Sequence, residues 1–182
     1  MRARQLPLVL VIGVLLLAGC VPQPAEDPVE PAPSSAPLFA SEEEALAAAV
    51  AAYEDYLKVS DAIAADGGAN PERLKDLVTE EWYEKEVEVI ESIQSGGLRQ
   101  AGTTSSRNAT LQRLDDRGLG VADVTIYVCA DASATRFLNA QGTDVTPDTR
   151  NALITNEVLF SAQSRTKLVL VSSSPWQDAS LC

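Results

Sequence analysis

The chain has 182 residues, with 14 lysines and arginines against 26 aspartates and glutamates and no histidine, so its formal net charge is −12 at pH 7. Proteins that bind a nucleic-acid backbone cluster lysine and arginine, and no such cluster follows Arg4, which excludes nucleic acid as an expected partner. Without histidine, a catalytic cysteine lacks its usual base and catalytic zinc lacks its usual ligand. We therefore expect no metal and no other cofactor.

Residues 1–19 are predicted to be a secretion signal. Arg2 and Arg4 precede an apolar run from Leu6 to Leu17, which small residues follow. A run of roughly 12 apolar residues is too short for a transmembrane helix, which needs about 20. The sequence Leu17-Ala18-Gly19-Cys20 resembles the lipobox of bacterial lipoproteins, in which the cysteine is acylated and becomes the new N-terminus after cleavage.

Acylation of Cys20 predicts a membrane partner, reached through the lipid anchor, and a location on the outer face of the cell membrane. Two acyl chains are enough for stable anchoring. In the alternative, the signal is cleaved in the ordinary way and Cys20 is a free or disulfide-forming thiol.

Residues 20–40 combine this cysteine with a linker that contains six prolines. Extended polyproline geometry gives about 3.1 Å per residue, so twenty such residues reach about 60 Å from the bilayer. We expect the folded domain to begin at Ser41 and to run to Cys182 as a single domain.

Three helices are predicted at the start of this domain. Ser41 and Glu44 match a capping box, and a long helix follows to about Ala65, where Gly67 and Gly68 end it. The sequence Asn70-Pro71 is typical of the start of a helix and predicts a second, short helix through about Leu77. Thr79 then caps a third helix, from Glu80 to about Gln94.

Strands are predicted after Leu98, where alternation replaces helical spacing. The clearest is Val121 to Asp131, in which one face carries Ala122, Val124, Ile126, Val128 and Ala130. The others are Thr103 to Leu114, with a turn at residues 115–118, a short strand from Thr135 to Leu138, Asn151 to Ala162, and Thr166 to Ser173. Helices that precede an antiparallel meander indicate an α+β fold, with the three helices packed on one face of a curved sheet of about four long strands.

The three cysteines predict one disulfide. If Cys20 carries lipid, Cys129 and Cys182 remain as a pair in an oxidising compartment. The alternative is two unpaired thiols.

The order of three helices and a curved meander resembles the cone fold of the nuclear-transport-factor-2-like (SnoaL-like, ketosteroid-isomerase-like) superfamily. Several stretches are similar to uncharacterised actinobacterial lipoproteins of that superfamily: Tyr127-Val128-Cys129-Ala130-Asp131, Asn139-Ala140-Gln141-Gly142, Asp144-Val145-Thr146-Pro147, Trp176 and Cys182. The resemblance implies a cupped sheet with an apolar cavity between sheet and helices. It implies no single activity, because this fold hosts enzymes, binding domains and scaffolds.

An isomerase of this superfamily uses a carboxylate as base and a tyrosine or carboxylic acid as oxyanion donor within the cavity. The resemblance therefore makes candidate pocket residues of Tyr53, Tyr56, Tyr83, Tyr127 and Asp131, with Asp123 as a further carboxylate. Their positions are equally typical of core packing and, at Asp131, of a turn. Members that use a His and Asp pair are excluded, because the chain contains no histidine.

We accordingly expect a binding or accessory domain that is not an enzyme and that engages an envelope protein or a small molecule. One alternative is an isomerase-like enzyme that uses a pocket carboxylate and tyrosine. The other is a structural homodimer formed through the sheet.

Overall fold

The structure is a computed structural model that describes residues 36–177 and 181–182, all within one compact unit. The predicted signal, Cys20 and most of the predicted linker lie outside the described residues. No helix in the described part of the chain is long and apolar enough to cross a membrane.

The fold is α+β, as predicted, with a curved antiparallel sheet of four long strands. Its elements are α1 (Glu42–Ala65), a single 3-10 turn (Pro71–Leu74), α2 (Glu80–Ser95), β1 (Arg99–Ala101), β2 (Ser105–Gly118), β3 (Val121–Asp131), β4 (Arg136–Leu138), β5 (Leu153–Ser164) and β6 (Lys167–Pro175). The long strands lie in the order β2-β3-β5-β6, and β1 pairs with β4 in a separate two-stranded sheet.

Both ends of α1 are set by local hydrogen bonds, as predicted. The Ser41 hydroxyl accepts from the Glu44 amide at 3.2 Å, and the Glu44 carboxylate accepts from the Ala40 amide at 2.6 Å. At the other end the Gly68 amide donates to the Ile63 carbonyl at 2.8 Å, which closes a Schellman motif. Gly67 takes a φ of +68° there, a conformation that glycine adopts without steric cost.

The prediction of three helices is wrong at the middle one. Only Pro71–Leu74 is helical, as one 3-10 turn, because the following residues pair with the edge of the sheet instead. The Leu170 amide donates to the Leu77 carbonyl at 2.8 Å, and the Thr79 amide donates to the Leu170 carbonyl at 2.9 Å. This pairing covers the outer edge of β6, and Thr79 still caps α2 as predicted.

The core lies between the helices and the concave face of the sheet. The alternation of burial predicted for β3 is only partly seen, because Asp123, Thr125 and Cys129 of the other face are buried as well. On the predicted inward face Ala130 is partly buried, and four residues are fully buried: Ala122, Val124, Ile126 and Val128. They pack with other buried side chains that fill the concave face: Ala45, Ala49, Tyr53, Ile63, Leu74, Val158, Phe160, Ala162 and Leu170.

The strands differ from the prediction in two respects, the end of β2 and the presence of β1. β2 continues through the predicted turn, with Asp115 opposite Asp123, and the hairpin closes at Leu119 and Gly120. Both turn residues have positive φ, +56° and +77°, as a two-residue type I′ turn requires. The short strand β4 was predicted, but its partner β1 was not.

Candidate functional site

The five predicted pocket residues lie in three separate places. Tyr53 and Tyr56 stack on α1 with ring centroids 6.0 Å apart. Tyr83 lies on α2, where the Lys75 ammonium sits 4.8 Å from the centre of its ring. Tyr127 and Asp131 lie on the face of β3 that points away from the helices. The structure therefore brings together only the two tyrosines of α1.

Tyr53 is a core residue. Its side chain is 2 % exposed, and burial raises the pKa of its hydroxyl to about 12, while a hydrogen bond with Asn156 acts in the opposite direction. An oxygen in this position is not accessible to a substrate.

Tyr56 forms a polar cluster with two residues of α2. Its hydroxyl donates to the Glu86 carboxylate at 2.7 Å, and burial raises the pKa of both groups. The Trp82 indole N–H lies beside both oxygens and lowers both pKa values, yet it makes no hydrogen bond of standard geometry. We name Tyr56, Trp82 and Glu86 the interhelical cluster.

The interhelical cluster was missed by the sequence analysis, which did not single out Glu86. The signal was its spacing. Trp82, Glu86, Ile90 and Ile93 recur at helical intervals, so the carboxylate falls within the apolar face of α2.

The outer face of the sheet carries the C-terminal segment. Trp176 stacks on Tyr127 with ring centroids 4.8 Å apart. The predicted disulfide is confirmed, with 5.2 Å between the Cα atoms of Cys129 and Cys182, and the Asn108 side chain donates to the Leu181 carbonyl at 2.7 Å.

Asp131 has a structural role at the end of β3. Its carboxylate accepts from the Ser133 amide at 2.9 Å and lies 3.3 Å from the Arg107 guanidinium. The hydrogen bonds from Ser133, together with Arg107, hold the pKa of Asp131 below its usual value. An ionised carboxylate that closes a turn matches the structural interpretation of this residue.

A groove of about 490 Å³ runs between the second half of α1 and the loop that leads into β2. We call it the α1–β2 groove. It is lined by Glu54, Leu57, Lys58, Asp61, Ala62, Ala65 and residues 102–106. Gly102 fits here because its φ is +80° and a Cβ would collide with the Ala134 carbonyl.

Hydrogen bonds hold the two walls of the α1–β2 groove together. The Asp61 carboxylate accepts a hydrogen bond from the side-chain amide of Gln100 at 2.6 Å. It also accepts from the backbone amide of Thr104 at 2.6 Å and from the Thr104 hydroxyl at 2.9 Å. Closer to the middle of α1, the Ser106 hydroxyl donates to Glu54 at 3.2 Å. The groove is therefore preformed.

A second, smaller cavity of about 170 Å³ lies between α1, α2 and the two-stranded sheet. We call it the interhelical cavity. Glu86 and Ser60 contribute polar atoms to its wall, and Ala64, Leu74, Ile90 and Phe137 contribute apolar surface.

Within residues 36–177 and 181–182, no group of three or more acidic or cysteine side chains is placed to hold a metal ion.

Comparisons with known proteins assign no family. No protein-family model matches the sequence, and no curated protein matches it. Among solved structures, a periplasmic fragment of TraM is similar with a TM-score of 0.49 and 12 % sequence identity, over 74 % of this chain and 96 % of that one. A similarity this low assigns neither a family nor a function.

Proposed function

We propose that this chain is an extracytoplasmic lipoprotein, anchored through Cys20, whose folded domain binds another envelope protein through the α1–β2 groove. The observation that carries the binding function is the preformed groove of about 490 Å³ on the surface of the domain. The disulfide between Cys129 and Cys182 supports the compartment, because disulfides persist mainly outside the reducing cytosol.

The shape of the groove favours a protein segment over a small molecule. Small-molecule sites are concave and bury most of the ligand surface. The α1–β2 groove is open to solvent at Ala62 and Ala65, which are exposed, and its lining combines Leu57 with the hydroxyl-bearing residues 103–106. Lys58 makes no ion pair with any other described residue, so it is available to an acidic side chain of the partner.

The concave face of the sheet supports a binding role over an isomerase role. Phe160, Ile126 and other buried side chains of the core cover that face. Asp131, the carboxylate proposed as an isomerase base, lies on the opposite face of β3.

Site-specific photo-crosslinking in cells tests the groove. A photoreactive amino acid replaces Ala62, which lines the groove, or Ala47, an exposed residue of α1 outside it. We expect a discrete protein adduct from position 62 only, and we expect Leu57→Arg to abolish it. Equal adducts from both positions, or an adduct that Leu57→Arg leaves unchanged, contradict the proposed groove function.

The anchor is tested separately by fractionation of cells that express Cys20→Ser. We expect the wild-type chain in the membrane fraction with an acylated N-terminal cysteine by mass spectrometry, and the variant unprocessed or released. Unchanged processing and membrane retention of the variant contradict the anchor and leave the groove proposal standing.

A further inference from the structure

The interhelical cavity contains an unusual combination of groups. Most of its wall is apolar, from Ala64 and Leu74 on one side to Ile90 and Phe137 on the other. Val89, which is 59 % exposed, also lines it and marks its mouth on the surface of α2. Asp61 lines both this cavity and the α1–β2 groove, and the two sites share no other lining residue.

Two polar groups in this wall have fewer partners than burial normally requires. The Ser60 hydroxyl is buried and has no hydrogen-bond partner among the described residues. Buried polar atoms in native proteins are almost always hydrogen-bonded, and an exception calls for an explanation such as a bound molecule. Ser60 lines the cavity, but its hydroxyl oxygen is not accessible from it, so the side chain would have to rotate about χ1 for a molecule inside to supply that bond.

Glu86 is the second group. Its carboxylate accepts from Tyr56, but none of the ion pairs between described residues includes it. A partly buried carboxylate is stabilised by a cation, and an ionised carboxylate offers about four acceptor sites, of which Tyr56 uses one. The raised pKa of Glu86 is consistent with a missing cation.

We propose that the interhelical cavity binds a small primary amine with an apolar body, whose ammonium group donates a hydrogen bond to Glu86 and, once the Ser60 side chain rotates toward the cavity, another to its hydroxyl. The volume limits the body to about eight heavy atoms, since a cavity of about 150 Å³ accommodates benzene. The strongly acidic balance of the chain favours a cationic ligand over an anionic one. This site is additional to the proposed function and does not depend on it.

Benzylamine and its neutral analogue benzyl alcohol are suitable probes, because they share one apolar body and differ in charge. Binding to the purified full chain is measured by calorimetry at about pH 7, where a primary amine is protonated. We expect dissociation constants between about 1 µM and 1 mM, with benzylamine bound about tenfold more tightly.

Three variants locate the site. Glu86→Gln keeps an acceptor for Tyr56 but removes the charge. We therefore expect the affinity for benzylamine to fall about tenfold, to the level of the affinity for benzyl alcohol. Glu88→Gln, an exposed position on the same helix, is expected to bind as the wild type does. Ala64→Leu fills the cavity and is expected to abolish binding of both probes.

Equal affinities of the wild-type protein for the two probes overturn the assignment to an amine. No binding of benzylamine, or binding that Glu86→Gln and Ala64→Leu leave unchanged, overturns the site itself. If one of these two variants does not fold, the other still gives the test, together with the preference of the wild-type protein.

Discussion

Cys129 and Cys182 join the middle of the sheet to the C-terminus across 53 residues of sequence. Cys129 is fully buried on the outer face of β3, and it pairs across the sheet with Thr155 of β5. The bond therefore holds Cys182 against the same face of the sheet on which Trp176 packs, the face opposite to the one that contacts the core.

Loss of this disulfide should lower the stability of the folded domain strongly. On the chain-entropy account, a loop of this length stabilises the folded state by about 4 kcal/mol. We expect Cys182→Ser to lower the free energy of unfolding by about that amount in denaturant titrations. Reduction of the wild-type protein should reproduce the effect, whereas Cys20→Ser should leave the stability of the folded domain unchanged.

Asp61→Ala should destabilise the junction between α1 and the loop before β2. The substitution removes three hydrogen bonds, and it leaves the Thr104 amide without its partner. Hydrogen bonds to charged groups contribute more than neutral ones, so we expect a loss of about 2–3 kcal/mol in the free energy of unfolding. Hydrogen exchange at the Thr104 amide should accelerate. Asp55→Ala, at an exposed position of the same helix, should change neither measurement, and equal effects would contradict the assigned role.

The interhelical cluster should make stability depend on pH. Burial raises the pKa of Glu86 above its ordinary value of 4.5, so the folded state binds the proton more tightly than the unfolded state does. The stabilisation from this proton is complete below that value and is lost as the pH rises through the folded pKa.

We therefore expect the melting temperature of the wild type to fall relative to that of Glu86→Gln as the pH rises above about 4.5. Tyr56 and Tyr53, whose pKa values are also raised, do not titrate in this range. Glu88→Gln serves as the control. A constant difference between wild type and Glu86→Gln across the range would contradict the raised pKa.

Trp176→Ala should loosen the C-terminal segment. The ring packs on Tyr127 although it is 44 % exposed, and an aromatic pair contributes about 1 kcal/mol beyond its buried area. We expect a loss of about 1–2 kcal/mol in the free energy of unfolding. Val145 is similarly exposed at 43 %, and Val145→Ala should stay within about 0.5 kcal/mol of wild type. Two equal losses would mean that the stacking of Trp176 adds nothing.

Structural features that depend only on neighbouring residues along the chain could be predicted from the amino-acid sequence. The caps at Ser41 and Thr79, the glycines after α1 and the bounds of β3 depend on local hydrogen bonds and on residue types along the chain, so they were predicted. The disulfide was predicted because two cysteines remain in an oxidising compartment once Cys20 is assigned to the lipid, and the structure confirms the pair.

The hydrogen bonds between segments that are distant in sequence could be known only from the three-dimensional structure. The predicted second helix ends at Leu74, before Leu77, because Leu77 and Thr79 hydrogen-bond with the edge of β6 instead. The strand β1 forms because β4 lies beside it. Glu86 becomes a partner of Tyr56 because two helices meet there. Such contacts join residues many positions apart, and their free energy depends on burial and geometry that no local pattern encodes.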